Sequence, residues 1–75
     1  MTNNSFYYVV FPSTHHGLRL EKILRDKEIP FTIVPTPRQI SASCGIAICV
    51  TEGLKEQVRI VIKENEVKIE GIYRL

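Results

Sequence analysis

The chain opens its ordered pattern with Phe6-Tyr7-Tyr8-Val9-Val10-Phe11, an unbroken apolar and aromatic run stopped by Pro12, which predicts a first strand central enough to be buried on both faces. The period then lengthens. Leu20, Ile23 and Leu24, with Leu18 at the margin, form one stripe at helical spacing, while Arg19, Glu21, Lys22, Arg25 and Asp26 face largely outward. The helix begins at Ser13 or Thr14, whose side chain is expected to accept a hydrogen bond from an orphan N–H, and runs to about Lys27 or Glu28. Ile29-Pro30 ends it, because proline disfavours helical geometry in the residue before it. Phe31 to Val34 reads as a second strand, and Pro35 and Pro37 bracket a stiff loop reaching Cys44-Gly45. Ile46 to Val50 is the third strand, with Ile46, Ile48 and Val50 on one face and Ala47 and Cys49 on the other. Thr51 is placed to cap a second helix whose Leu54, Val58, Val61 and Ile62 share a face, ending near Asn65. Val67 to Leu75 alternates as a last strand, and the polar Met1 to Ser5 is expected to fray.

Strand, helix, strand, strand, helix, strand is the order of the ferredoxin-like α+β fold, a βαββαβ chain forming a four-stranded antiparallel sheet with two helices on one face. Right-handed crossovers and short connections favour the strand order 4-1-3-2. The third strand then runs between the first two and antiparallel to them. Its beginning lies beside their ends, so Pro12–His16, the start of the first helix and the loop 36–45 gather at one edge of the sheet.

The composition changes this picture little. With 75 residues, 44% of them hydrophobic and 24% charged, the chain has the makeup of one globular domain, residues 1–75, with room for a single core. So small a core often gains stability from a partner chain. Both faces of the first strand are apolar, which leads to the expectation of a homodimer through the sheet face that the helices leave open. The net charge of +2 comes from interspersed charges, which argues against a nucleic-acid partner. Phe6–Phe11 is far shorter than the roughly 20 residues of a membrane helix, and the first residues lack a basic leader. A cytoplasmic protein with no membrane contact is the expectation.

Cys44 and Cys49 carry the most reactive side chains. Extended geometry over the five intervening steps separates their Cα atoms by roughly 16 Å, too far for a disulfide, so both are read as free thiols. His15 and His16 make no recognisable zinc spacing with them, so no metal or other cofactor is called for. Cys44 is the candidate site. It falls near the helix start, where unpaired N–H groups, Arg38 and a protonated His15 would favour a thiolate. Ser13, Thr14, Ser41 and Ser43 are positioned to donate hydrogen bonds to the sulfur or to a bound anion, and Gly45 leaves the approach open. Each residue also has a plainer reading: Cys44 as a small packed or incidental thiol, the serines as turn and cap residues, Arg38 and the histidines as solvated side chains. Cys49, in mid-strand, reads as structural, and Tyr73 as packing.

Pro37-Arg38-x-Ile40-Ser41-x-Ser43-Cys44-Gly45 resembles the signature of small bacterial domains grouped as selenium/sulfur (Se/S) carrier-like proteins. Ser13-Thr14-His15, Leu18, Glu21 and the ending Glu70-Gly71-Ile72-Tyr73-Arg74 are similar to that family at the same places, so the resemblance spans Tyr8 to Leu75. It implies that Cys44 accepts sulfur or selenium as a persulfide or selenosulfide, with donor and acceptor proteins as partners. Such a protein is a carrier or thiol relay rather than a turnover enzyme. The competing reading is a small anion-binding or regulatory interaction module in which Cys44 is incidental. Cys49 is not part of the signature.

Overall fold

The computed structural model describes residues 6–39 and 45–74. Its elements are β1 (Phe6–Val10), α1 (Thr14–Asp26), β2 (Thr32–Pro35), β3 (Ile46–Thr51), a single 3₁₀ turn (Glu52–Leu54), α2 (Lys55–Glu64) and β4 (Gly71–Arg74). One four-stranded sheet has the order β2-β3-β1-β4, every neighbour antiparallel. This is the ferredoxin-like arrangement expected from the sequence, including its strand order.

The two helical stripes and one sheet face make the core. Val9 and Phe11 from β1 and its exit, Ile48 and Val50 from β3, Leu20 and Leu24 from α1, and Val58, Val61 and Ile62 from α2 are buried together. Ile46 and Ile23 pack at its border, and Leu18 stays half exposed, as its marginal position on the stripe implies.

Both helices end in the same way. At α1, Glu28 adopts φ 60° and the N–H groups of Glu28 and Ile29 donate to the carbonyls of Arg25 and Leu24. At α2, Glu66 adopts φ 53° and Glu66 and Val67 donate to Lys63 and Ile62. This paired 5→2 and 6→1 closure is a Schellman motif, and its usual hydrophobic clasp is present, since Ile29 and Val67 are buried in the core with Leu24 and Ile62. Arg19, read from the sequence as outward-facing, lays its guanidinium on the α2 terminus. Its Nη2 donates to the Asn65 carbonyl at 2.9 Å, where a cation complements the helix dipole.

Four boundaries differ from the sequence reading. Ser13 stands at the N-cap of α1 with extended backbone, but its side chain makes no capping hydrogen bond; its carbonyl instead accepts from the His16 N–H at 3.2 Å. Thr14 is the first helical residue rather than a cap. Thr51 does not cap α2, because it is held in β3 opposite Phe6, and the 3₁₀ turn brings Leu54 to the N-cap position. β2 starts one residue late and ends on Pro35, tolerated because β2 is an edge strand. β4 is shorter than predicted: residues up to Val67 are used by the α2 terminus, and pairing to β1 begins where the Glu70 N–H meets the Val10 carbonyl at 2.6 Å. The expectations for Met1–Ser5 and Leu75 lie outside the described residues.

The sheet face away from the helices is not bare. Val10 and its cross-strand partner Ala47 point to that side, yet both have zero exposure. Gly71, beside Val10, is covered by the Tyr73 ring: a Cβ at position 71 would sit 3.0 Å from Tyr73 Cε1 and Oη. Burying Val10 and Ala47 thus does not require a second chain.

Candidate functional site

Register places the predicted edge. Val10 pairs with Ala47 and Pro35 with Ile46, so the ends of β1 and β2 lie beside the start of β3. The Thr36 N–H donates to the Gly45 carbonyl at 3.2 Å, extending the β2–β3 ladder one step and closing the neck of the loop 36–45. At that neck the Thr36 hydroxyl is buried with no hydrogen-bond partner among the described residues.

Gly17 brings α1 to this edge. A Cβ there would lie 3.1 Å from Ile46 Cδ1 and 3.1 Å from Phe11 Cδ2, closer than side-chain atoms normally pack. Without a side chain, the first turns of α1 settle on the end of β1 and on the residue that follows Gly45. Sequence reasoning missed this residue. Its signal was present: Gly17 lies three residues before Leu20 and seven before Leu24, on the buried stripe itself.

Of the expected site residues, Ser13, Thr14 and His15 are exposed at the start of α1, and Arg38 is exposed in the turn Arg38-Gln39. His15 meets His16 edge-on, ring centroids 5.3 Å apart. Gly45 is exposed, and among the described residues nothing lies within 4 Å of a Cβ added to it. Ser41, Ser43 and Cys44 lie outside the described residues. Chain connectivity ties Cys44 to Gly45, one peptide from the Ile46 side chain on which α1 rests.

The electrostatics of this end come from α1. Its thirteen residues align peptide dipoles toward the sheet edge, its first turn contains no acidic residue, and the Ser13 side chain makes no capping hydrogen bond. Such an end favours an anion, whether a thiolate or a small oxyanion.

The other end of the sheet has a different character. A cavity of about 290 Å³ opens there between Phe6, Phe31, Thr32, Cys49 and Leu54, with mainly apolar walls. Cys49 is half-buried within it, and burial raises its thiol pKa above the ordinary value, offset in part by a hydrogen bond from the Tyr8 hydroxyl. Lys55 Nζ stacks on the Tyr7 ring, 4.5 Å from its centroid. Among the described residues no group of three or more histidine, cysteine or acidic side chains is placed to hold a metal ion. No helix among them is long and apolar enough to cross a membrane.

The described residues thus give a small ferredoxin-like domain in which the first turns of α1 are seated on Ile46 at the start of β3. The comparison with protein families is specific: the chain belongs to the family described as Putative Se/S carrier protein-like, whose model matches residues 6–74. No curated protein and no solved structure matches the chain.

Proposed function

We propose that this protein carries sulfur or selenium on Cys44. In the sulfur case the Cys44 thiolate attacks the outer sulfur of a donor persulfide; that S–S bond breaks, the donor leaves as a thiolate, and Cys44 holds the sulfur as its own persulfide. The observation that carries the reading is the start of α1, which has no acidic residue in its first turn and is seated by Gly17 on the residue after Gly45, in a chain that belongs to a family named for Se/S carriage. That end of the helix stabilises the thiolate before loading and the persulfide anion after it. Arg38 adds a cation to the same loop, and Ser41, Ser43, Ser13, Thr14 and His15 supply donors for the anionic sulfur. Gly45, with nothing among the described residues within 4 Å of a Cβ added to it, keeps the approach clear for a donor or acceptor protein.

A shuttle of this kind needs a donor and an acceptor protein and a compartment that keeps thiols reduced, which makes the cytoplasm its place of work. Alkylation rate against pH, with intact mass after exposure to a persulfide donor, tests it: Cys44 titrates below a free cysteine and gains one sulfur atom, and Cys44→Ser does not.

The same helix end would serve an anionic metabolite, which gives a second reading as an anion-binding module. Equal phosphate binding by the wild-type chain and Cys44→Ser, without sulfur loading, is the outcome that selects it. A homodimer through the outer sheet face would use Phe6 and Tyr73, each about two-fifths exposed there. Sedimentation at rising concentration tests this, and a monomer throughout removes it.

A further inference from the structure

We propose that the cavity at the end of the sheet opposite the loop 36–45 binds a small, uncharged, flat molecule of one or two rings, held between Phe6 and Phe31 with Cys49 in its wall.

Strand register builds the site. Phe6 pairs with Thr51, and Thr32 with Cys49, so alternation along β1, β2 and β3 sets these four side chains together on the outer sheet face. Phe31, just before β2, and Leu54, in the turn that leaves β3, complete the walls. β3 runs from Ile46, where α1 is seated, to Thr51 in the cavity wall. Five strand steps of about 3.3 Å put the two ends about 16 Å apart, so this is a separate site.

Its size limits the occupant. Domain interiors pack as closely as organic crystals, with few voids larger than a water molecule. A recess of about 290 Å³ is therefore large for a chain of 75 residues. An apolar cavity of about 150 Å³ admits benzene, so one about twice as large has room for two fused rings and little more. Phe6 is left 37% exposed, and an occupant would take apolar surface out of water that the fold alone leaves wet.

Charge narrows the class further. Among the described residues no side chain lining the cavity belongs to an acid or a base, and burial keeps the Cys49 thiol protonated to higher pH than usual. An ion entering it would shed water without gaining a counter-charge, a cost that an uncharged molecule avoids. The Cys49 thiol and the Thr32 and Thr51 hydroxyls both donate and accept, so they can match a single polar atom of either kind. A protein segment would bring a peptide N–H and C=O with each residue, more polar groups than these three side chains can satisfy.

The test uses the whole chain, indole as the probe and Cys49 as the reporter. Alkylation by iodoacetamide at about pH 9 is followed at both cysteines by peptide mapping, with Cys44 as the internal control. Indole at about four times its dissociation constant should slow Cys49 by about fivefold, saturably, and leave Cys44 unchanged. Indole-3-carboxylate, similar in shape but charged, should give no protection at the same concentration. Thr32→Trp, at an exposed strand position, should fill the cavity itself, so that Cys49 reacts slowly without indole and added indole slows it no further. Thr51→Trp makes the same test from β3 if Thr32→Trp does not fold. The proposal is overturned if indole up to its solubility limit leaves Cys49 unprotected, if both cysteines slow alike, or if the carboxylate protects equally. It is also overturned if Cys49 reactivity without indole falls as the chain concentration rises, which would make a second copy the occupant.

Discussion

Tyr8 and Cys49 are direct cross-strand partners between β1 and β3, and the Tyr8 hydroxyl donates a hydrogen bond to the Cys49 sulfur. Desolvation outweighs that bond, so the folded chain holds the Cys49 proton more tightly than the unfolded chain does. The sign follows: the contribution is fully present below the ordinary thiol range and is lost as pH rises from about 8.5 toward the raised folded value. Denaturant midpoints measured between about pH 7 and about pH 10 should fall more steeply for the wild-type chain than for Cys49→Ala. In Tyr8→Phe, which lacks the offsetting donor, Cys49 should be alkylated more slowly than in the wild-type chain at the same pH.

The left-handed residues Glu28 and Glu66 carry a strain that glycine would not, and each places a carboxylate at the negative end of a helix dipole. Glu28→Gly and Glu66→Gly should each stabilise the fold by about 1 kcal/mol, with part of the gain returned to the unfolded chain's entropy. Equilibrium unfolding in urea measures this. Loss of stability in either variant would mean that the glutamate side chain does more at that terminus than the backbone geometry indicates.

Gly17 and Gly45 should respond in opposite ways. Valine at position 17 must push aside Phe11 and Ile46, and Gly17→Val should cost about 2 kcal/mol or more and lift the start of α1 off the sheet. The added methyl of Gly45→Ala meets nothing among the described residues and should leave stability within about 0.5 kcal/mol of wild type. Any loss of sulfur loading in Gly45→Ala is then a loss of access rather than of folding.

The Thr36 hydroxyl is buried at the loop neck without a partner among the described residues. Replacing such a group by a methyl of the same shape is neutral to favourable, so Thr36→Val should match or exceed wild-type stability by up to about 1 kcal/mol. A thermal unfolding comparison decides it, and clear destabilisation would indicate that the hydroxyl has a partner in the loop.

The sequence carried the architecture further than it carried the site. Period and punctuation were enough to place four strands and two helices, because Leu20, Leu24, Val58, Val61 and Ile62 mark their own buried faces. The helices end where expected, at Lys27 and Asn65, but their Schellman closures were not legible, because glutamate at a left-handed position leaves no compositional mark, unlike glycine; and a serine before a helix implies a side-chain cap that Ser13 does not make. At the functional edge, Arg38 and Gly45 were legible as residue types with chemical uses. Gly17 was passed over, since a glycine inside a helix reads as a defect until the partner it admits, here Ile46, is known. On the outer face, the apolar period of β1 shows that Val10 needs cover, but not that Val10 is already buried within its own chain.

The most direct measurement is the intact mass of the reduced chain after exposure to a persulfide-bearing protein or small-molecule donor, followed by peptide mapping, for wild type, Cys44→Ser and Cys49→Ala. The carrier account predicts one added sulfur on Cys44 in wild type and Cys49→Ala, none in Cys44→Ser, and loss of the added atom to an external thiol. An unmodified Cys44, or an adduct that maps to Cys49 and survives in Cys44→Ser, would contradict it.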